Sequence, residues 1–321
     1  MATVDELRLM TKVAKMHYEW SLNQSEIGQQ LNLSQATISR LFKRAKAEGI
    51  IRISVNVPVG VNSDLEEALV RRFGLRDAIV VDCISADENQ IVRDLGAAAA
   101  YYIETTIHNN DVVGISSWSS SLLALIDSLH QVAGKTGIRV VQILGGVGNP
   151  SAEVHAARLT GRLASLVHGK AVFLPAPGVV GTAAALSVML KDPYVQEAMR
   201  LFDRVNLALV GIGSVQPSKL LHLSGNVFSR AEQGFLRQHG AVGDILLRFF
   251  DENGKPIESA FNNRVVSMPL EQLRQVERSV GVAGGARKYR AILAALRGKY
   301  INVLITDAHT AGRLVNQPVL H

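Results

Sequence analysis

The feature that most restricts the fold is an alternation running from about residue 77 to residue 306. Short apolar, β-rich runs recur there: DAIVVDC (77–83), DVVGI (111–115), IRVVQIL (138–144), AVFLP (171–175), VNLALVGIG (205–213), GDILLRFF (243–250), SVGVAG (279–284) and INVLIT (301–306). Between them lie segments with helical spacing, roughly 88–107, 121–133, 152–168, 181–190, 193–203, 229–238 and 286–297. Several runs are apolar throughout, as strands covered on both faces are. Such alternation predicts an α/β unit with a mostly parallel, Rossmann-like sheet and right-handed crossovers. The 321 residues are 47% hydrophobic and 19% charged, enough apolar material for a large core and more than one domain, and too little charge for disorder.

The first fifty residues follow another rule. Residues 24–47, QSEIGQQLNLSQATISRLFKRAKA, read as two short helices, Gln24–Leu31 and Gln35–Ala47, joined by a tight turn. Asn32 tolerates the left-handed backbone a turn needs, and Ser34 is a good N-cap for the second helix. Gly28 is small where the helices would approach, and Leu33, Ile38 and Leu41 supply an apolar seam. This is a helix-turn-helix pattern, whose second helix enters the DNA major groove. A helix over 5–20 would brace it through Leu7, Val13, Ala14 and Tyr18. IIRISVNV (50–57) reads as a strand, the wing of a winged variant. VPVGVNSD (57–64) is the linker candidate, with Ser63 or Asp64 capping the helix LEEALVRRFG. The expected domains are therefore 1–56 for DNA, 57–63 as linker and 64–321 for a sensor.

Charge agrees in part. Net charge is +6, and residues 1–52 hold eight Lys/Arg against five Asp/Glu, so half the excess sits in the first sixth of the chain, as a nucleic-acid surface requires. The run Arg40, Lys43, Arg44, Lys46 has no acid before Glu48. On the outward face of the second helix, Gln35, Ala36, Thr37 and Arg40 would meet base edges. Ser39, Lys43 and Arg44 would hold phosphates, and Gln24 and Ser34 complete the candidate DNA surface. The single cysteine, Cys83, cannot pair internally and is expected as a buried thiol in a reducing cytosol. With no signal peptide and no run long enough to span a bilayer, a cytoplasmic protein without a membrane partner is expected.

Ligands of open α/β sheets sit beyond the carboxyl ends of the strands. Four such ends carry unusual loops: GISSWSSS (114–121), GGVGNPS (145–151), GIGS (211–214) and VAGGARK (282–288). Small loops at helix N-termini offer backbone N–H groups to an anion; serine hydroxyls and Lys288 add donors. Together they suit a phosphorylated, hydroxyl-rich ligand. Asp244, at the mouth of an apolar run, can accept from two sugar hydroxyls or simply cap a turn. Trp118 is either packing or a stacking platform. Glu153 is expected for the helix dipole alone, and His155 is a lesser contact candidate. No GxGxxG, GxxxxGK[ST], HExxH, CxxC or GxSxG occurs, so no dinucleotide, metal or cofactor is expected.

At these loops the chain resembles the SorC family of sugar-responsive bacterial transcriptional regulators. The resemblance rests on the helix-turn-helix with EGIIRI, on LEEALVRRFGLRDAIVV, GISSWSSSLLALI and VVQILGGVGNPSAEVHAARLT, and on FLPAPGVV, GAVGDILLRFFD, GVAGGARKYRAILAAL and INVLITD. It implies an effector domain like sugar-phosphate isomerases and a homo-oligomer, a tetramer built as a dimer of dimers, on operator DNA. It implies a sugar, polyol or sugar-phosphate effector lying against Ser116, Ser117, Trp118, Ser119 and Ser120, against Gly145, Gly146, Val147 and Gly148, and against Gly284, with Asp244 and Lys288 as the charged contacts. SSWSSS departs from the usual pattern, where a glycine often stands beside the tryptophan. The reading is a regulator rather than an enzyme; the rival is a sugar-phosphate isomerase or deaminase with a DNA-binding appendage, for which Asp244 with Glu153 or His155 would have to supply a base and a relay.

Overall fold

The computed structural model describes residues 3–51, 58, 60–83, 85 and 87–317, with backbone alone at 151–153. The chain divides into two compact units, Met1–Pro58 and Val59–His321.

The first unit holds three helices, α1 (Val4–Tyr18), α2 (Gln24–Leu31) and α3 (Gln35–Ala47). Each starts on a side-chain cap. Thr3 and Asn23 form capping boxes with Glu6 and Glu26, and the Ser34 hydroxyl accepts from the Thr37 N–H, satisfying helix-end donors that otherwise lack partners. Asn32 ends α2 at φ 52°, ψ 43°, the left-handed turn between the two helices. Met10, Val13, Met16, Ile27, Ile38, Leu41, Phe42 and Ala45 fill the core. Of the bracing residues expected on α1, Val13 and Ala14 are buried, whereas Leu7 is 36% and Tyr18 50% exposed. Met10 and Met16 take their place, because they share the face of Val13 at helical spacing. Of the wing strand expected at 50–57, Ile50 and Ile51 form a bend packed on this core and 52–57 lie outside the described residues.

In the second unit, α4 (Ser63–Phe73) precedes β1 (Asp77–Val81), α5 (Glu88–Thr106), β2 (Val112–Ile115), α6 (Ser120–Ser128), β3 (Arg139–Gln142), α7 (Pro150–Leu166) and β4 (Lys170–Val172). Then come α8 (Ala183–Met189), α9 (Pro193–Arg200), β5 (Leu207–Gly211), β6 (Gly213–Ser214), α10 (Lys219–Leu223) and α11 (Arg230–Gln238). The hairpin strands β7 (Ala241–Ile245) and β8 (Arg248–Asp251) follow, then α12 (Leu270–Leu273), β9 (Arg278–Val282), α13 (Tyr289–Arg297), β10 (Val303–Asp307) and α14 (Ala308–Val315). The cap of α4 is Asn62, without a side-chain bond to the helix, not Ser63 or Asp64; the Asn62 amide instead donates to the Val80 carbonyl.

Seven strands form one sheet in the order β1-β10-β9-β5-β2-β3-β4, every pairing parallel. Strand residues alternate between two cores. Along β5, Leu207 and Leu209 face the layer with Leu95, Leu122 and Leu163, while Ala208 and Val210 face the layer with Ile292 and Leu304. That two-residue alternation with both faces covered explains why the run reads as continuously apolar.

GDILLRFF is not one strand of this sheet. It is the β7–β8 hairpin of a separate antiparallel sheet, β6-β7-β8. The chain reverses at Leu246 and Leu247, both at positive φ (56° and 62°). Two such residues in a row make the tight turn that matches strand twist, a conformation rare for leucine. No glycine or asparagine marks it, so hydrophobicity alone suggested a strand. Leu246 and Leu247 are each 3% exposed, and this burial offsets the backbone cost.

Candidate functional site

In the first unit, α3 has two faces. Ile38, Leu41, Phe42 and Ala45 are buried, while Gln35, Ala36, Arg40 and Lys43 are exposed and Thr37 and Ser39 lie half-buried between them. Ala36, Arg40 and Lys43 share one stripe by their spacing. The Arg40 guanidinium donates to the Thr37 hydroxyl at 3.3 Å. Arg44 is engaged differently: both terminal nitrogens donate to Glu6, at 3.0 and 3.2 Å, tying α3 to α1 and holding the Glu6 carboxyl down at about 2. Ser34 is exposed with its hydroxyl committed to capping, and Gln24 is half-buried at the start of α2.

In the second unit the chain leaves β2 outward to β3 and β4, returns to β5 beside β2, and then proceeds the other way to β9 and β10. The β2/β5 boundary is thus the point where strand order reverses, where open sheets open a crevice. A cleft lies there. Ser116, Trp118, Ser119 and Ser120 enter it from the end of β2, Gly211 to Ser214 and Gln216 to Ser218 with Leu221 from the end of β5, Asp244, Leu246 and Leu247 from the hairpin, and Arg287 and Lys288 from the turn before α13.

Asp244 is the chemical centre of this cleft. It is 8% exposed; its Oδ2 accepts one bond, from the Leu247 N–H at 3.1 Å. Its Oδ1 lies against Gly213, where a Cβ would collide with it, so β6 must carry glycine at the β7 pairing position Gly213↔Asp244. Burial pushes the carboxyl up to about 6, against the opposing pull of the Leu247 amide and of the Lys288 charge. Burial, with Arg287 nearby, lowers the Lys288 ammonium, while Asp244 and Glu88 draw it back up. Among the described residues no hydrogen bond reaches the Lys288 ammonium. Arg287 pairs with Glu88 at 3.2 Å.

The other sequence candidates are placed elsewhere. The Ser117 hydroxyl donates to the Leu144 carbonyl in full burial, outside the cleft lining. The Trp118 indole N–H donates to the Gly145 carbonyl at 3.0 Å, so the ring is fixed as packing that also walls the cleft. In the GGVGN loop, the Gly145 N–H goes to the Val266 carbonyl and the Val147 N–H to Ala176. A Cβ on Gly148 would lie 2.5 Å from the Ser224 carbonyl and 2.9 Å from the Asn226 amide. The loop is thus a packing surface: Asn226, 2% exposed, accepts from Gly178 and Val179 and donates to the Val147 carbonyl, fastening the segment after the cleft wall to it. Gly146 is buried in the same loop. Gly284 sits beside Asp307, which takes the Gly285 N–H at 2.7 Å. Cys83 is half-buried rather than buried, its thiol pushed up to about 12 by burial and by Asp94.

Sequence reasoning missed Gln216, Pro217, Ser218 and Leu221, and the leucines of the hairpin turn. The Pro-marked SVQPS following the GIG strand end was the available signal for the former; none pointed to the turn.

Comparison with known proteins agrees with this arrangement. The family model for a sugar-binding domain matches residues 57–316. The deoxyribonucleoside regulator of Bacillus subtilis (strain 168) is 35% identical over 312 residues, covering 97% of this chain and 98% of the relative. The crystal structure of the full-length sorbitol operon regulator SorC from Klebsiella pneumoniae superposes with a TM-score of 0.73 at 29% identity, covering 97% of this chain and all of that one. The sugar-binding domain of the transcriptional regulator DeoR from Pseudomonas syringae pv. tomato matches at 40% identity and TM-score 0.62, over 79% of this chain and 99% of that one. With a helix-turn-helix ahead of a sugar-binding α/β unit, and likeness along nearly its whole length, the chain belongs to the SorC family of sugar-binding bacterial transcriptional regulators.

Proposed function

We propose that this regulator controls a carbohydrate or polyol catabolic operon from the bacterial cytoplasm, and that its effector is a sugar, polyol or sugar phosphate seated in the β2/β5 cleft. The observation that carries the reading is Asp244: a buried carboxylate with a single protein hydrogen bond, lining a cleft that Lys288 also lines. A carboxylate accepts from the hydroxyls of a sugar, and the ammonium beside it complements a phosphate. The relatives named for deoxyribonucleosides and sorbitol support an effector of this size. On the DNA side, Gln35, Ala36, Thr37 and Arg40 read base edges, while Gln24, Ser34, Ser39 and Lys43 contact the backbone. Arg44 joins them only by leaving Glu6. The protein works as a homo-oligomer, a tetramer of two dimers, whose paired heads span two half-sites.

The role is sensing without turnover. His155, which the rival reading would need as a relay to Asp244, is outside the cleft lining. A thermal-shift screen of the full chain against sugars, polyols and their phosphates tests the reading. A ligand at about 100 times its dissociation constant adds about 2.7 kcal/mol, and this gain should vanish in Asp244→Ala and Lys288→Ala. Product formation from a sugar phosphate would contradict it. Arg40→Ala should lose about 1–3 kcal/mol of operator affinity and relax sequence preference; unchanged binding would remove Arg40 from the interface.

A further inference from the structure

A second, smaller cavity opens off the cleft. It shares Ser214, Pro217, Leu221, Asp244 and Leu247 with the cleft, and it is closed by Val215, Val227, Phe228 and Phe249. Its volume is about 20 Å³, room for one group of about the size of a water molecule. Water would be poorly held there. The Ser214 hydroxyl already donates to the Gln216 carbonyl at 3.0 Å, and the Gln233 amide to the Phe228 carbonyl at 2.8 Å. Apart from the Asp244 carboxylate at its edge with the cleft, the remaining walls are hydrocarbon and aromatic rings, Phe228 and Phe249 meeting edge to face at 5.6 Å. So the site has two chemically different neighbours: a carboxylate with a single protein hydrogen bond, which suits hydroxyls, and beside it a mostly apolar recess, which suits carbon.

We propose that the effector carries an unoxygenated carbon, the methyl or methylene of a deoxy sugar or deoxy polyol, next to the hydroxyls that Asp244 receives. This rests on the cleft being the effector site. The methyl or methylene fills the recess, where a hydroxyl would exchange water for walls that are mostly hydrocarbon and aromatic. Leu247 serves both sides, its N–H holding Asp244 and its side chain walling the recess, which gives the unusual leucine turn a purpose.

Calorimetric titration of the full chain with matched ligand pairs tests this: ribose 5-phosphate against 2-deoxyribose 5-phosphate, and L-tagatose 1-phosphate against its 6-deoxy counterpart. In the pair that fits, the deoxy member should bind tighter by roughly 10- to 100-fold, the range an apolar pocket gives for one such group. Val215→Thr, close in shape and bringing a hydroxyl into the recess, should cut that preference at least several-fold; Val227→Thr is the second variant. Equal or tighter binding of the hydroxylated member in every pair would overturn this inference alone. Silence from all four ligands at millimolar concentration would overturn it together with the sugar-phosphate reading of the cleft.

Discussion

Two buried aspartates stand at opposite ends of this fold and behave in opposite ways. Asp111, 3% exposed, sits just before β2 at the amino end of the sheet. It takes the His108 N–H at 2.8 Å, the Asn206 amide at 2.7 Å and the Arg278 guanidinium at 2.7 Å. Those bonds outweigh burial and hold its carboxyl below the ordinary range. Asp244, 8% exposed, lies beyond the carboxyl end of β5 with one amide bond, and burial wins. Both side chains are nearly closed to solvent; Asp244 lies deeper and has fewer donors. A buried charge with all its partners is structure, and one left short of partners is poised for a ligand that brings them.

The largest effect should come from Asp111→Asn, which leaves Arg278, 5% exposed, as an uncompensated buried charge. A loss of about 3–5 kcal/mol in denaturant unfolding is expected, and a neutral outcome would break the contrast on its structural side. Asp244→Asn should do the reverse. Its shift from 3.8 to about 6 corresponds to about 3 kcal/mol at neutral pH, so the ligand-free variant should be stabilised by up to that amount while losing effector binding; a destabilised variant would mean the carboxylate is structural. Asn206→Ala removes one donor from Asp111 and the acceptor of the Val112 N–H, at about 1–3 kcal/mol.

Acid should separate the two residues by sign. The folded state holds Asp111 below its unfolded value, so its contribution is present at neutral pH and is lost as pH falls through the folded value. Asp244 lies above its unfolded value, so its burial penalty is relieved as pH falls through about 6 toward 4. Affinity for an uncharged sugar or polyol, whose own ionisation does not interfere, should therefore weaken below about pH 6, by up to tenfold per pH unit, in wild type. A flat wild-type profile would detach Asp244 from the ligand.

The contrast also marks what the chain discloses before folding. The helix-turn-helix was legible because its caps, turn and apolar stripe are contiguous between Asn23 and Ala47. The parallel sheet was legible because each strand carries its own hydrophobic run. The cleft was half legible: strand-end loops announced Ser116, Ser119 and Asp244, but loops rich in glycine look alike whether they cradle an anion or pack a neighbour, and only the positions of Asn226 and Ser224 identify 145–148 as the latter. The Leu246–Leu247 reversal was hidden because burial, not turn chemistry, holds it. The Asp111–Arg278 pair was hidden because its members are 167 residues apart and meet only when β2 and β9 flank β5.

The most direct test of the central claim follows operator affinity by fluorescence anisotropy, using DNA from upstream of the gene's own operon, with and without a sugar or sugar phosphate identified by thermal shift. The account predicts a 5- to 150-fold change in wild-type affinity on adding ligand, the usual range of coupling between sites, and no change in Asp244→Asn at equal ligand-free affinity. A ligand response of the same size in both proteins would contradict it.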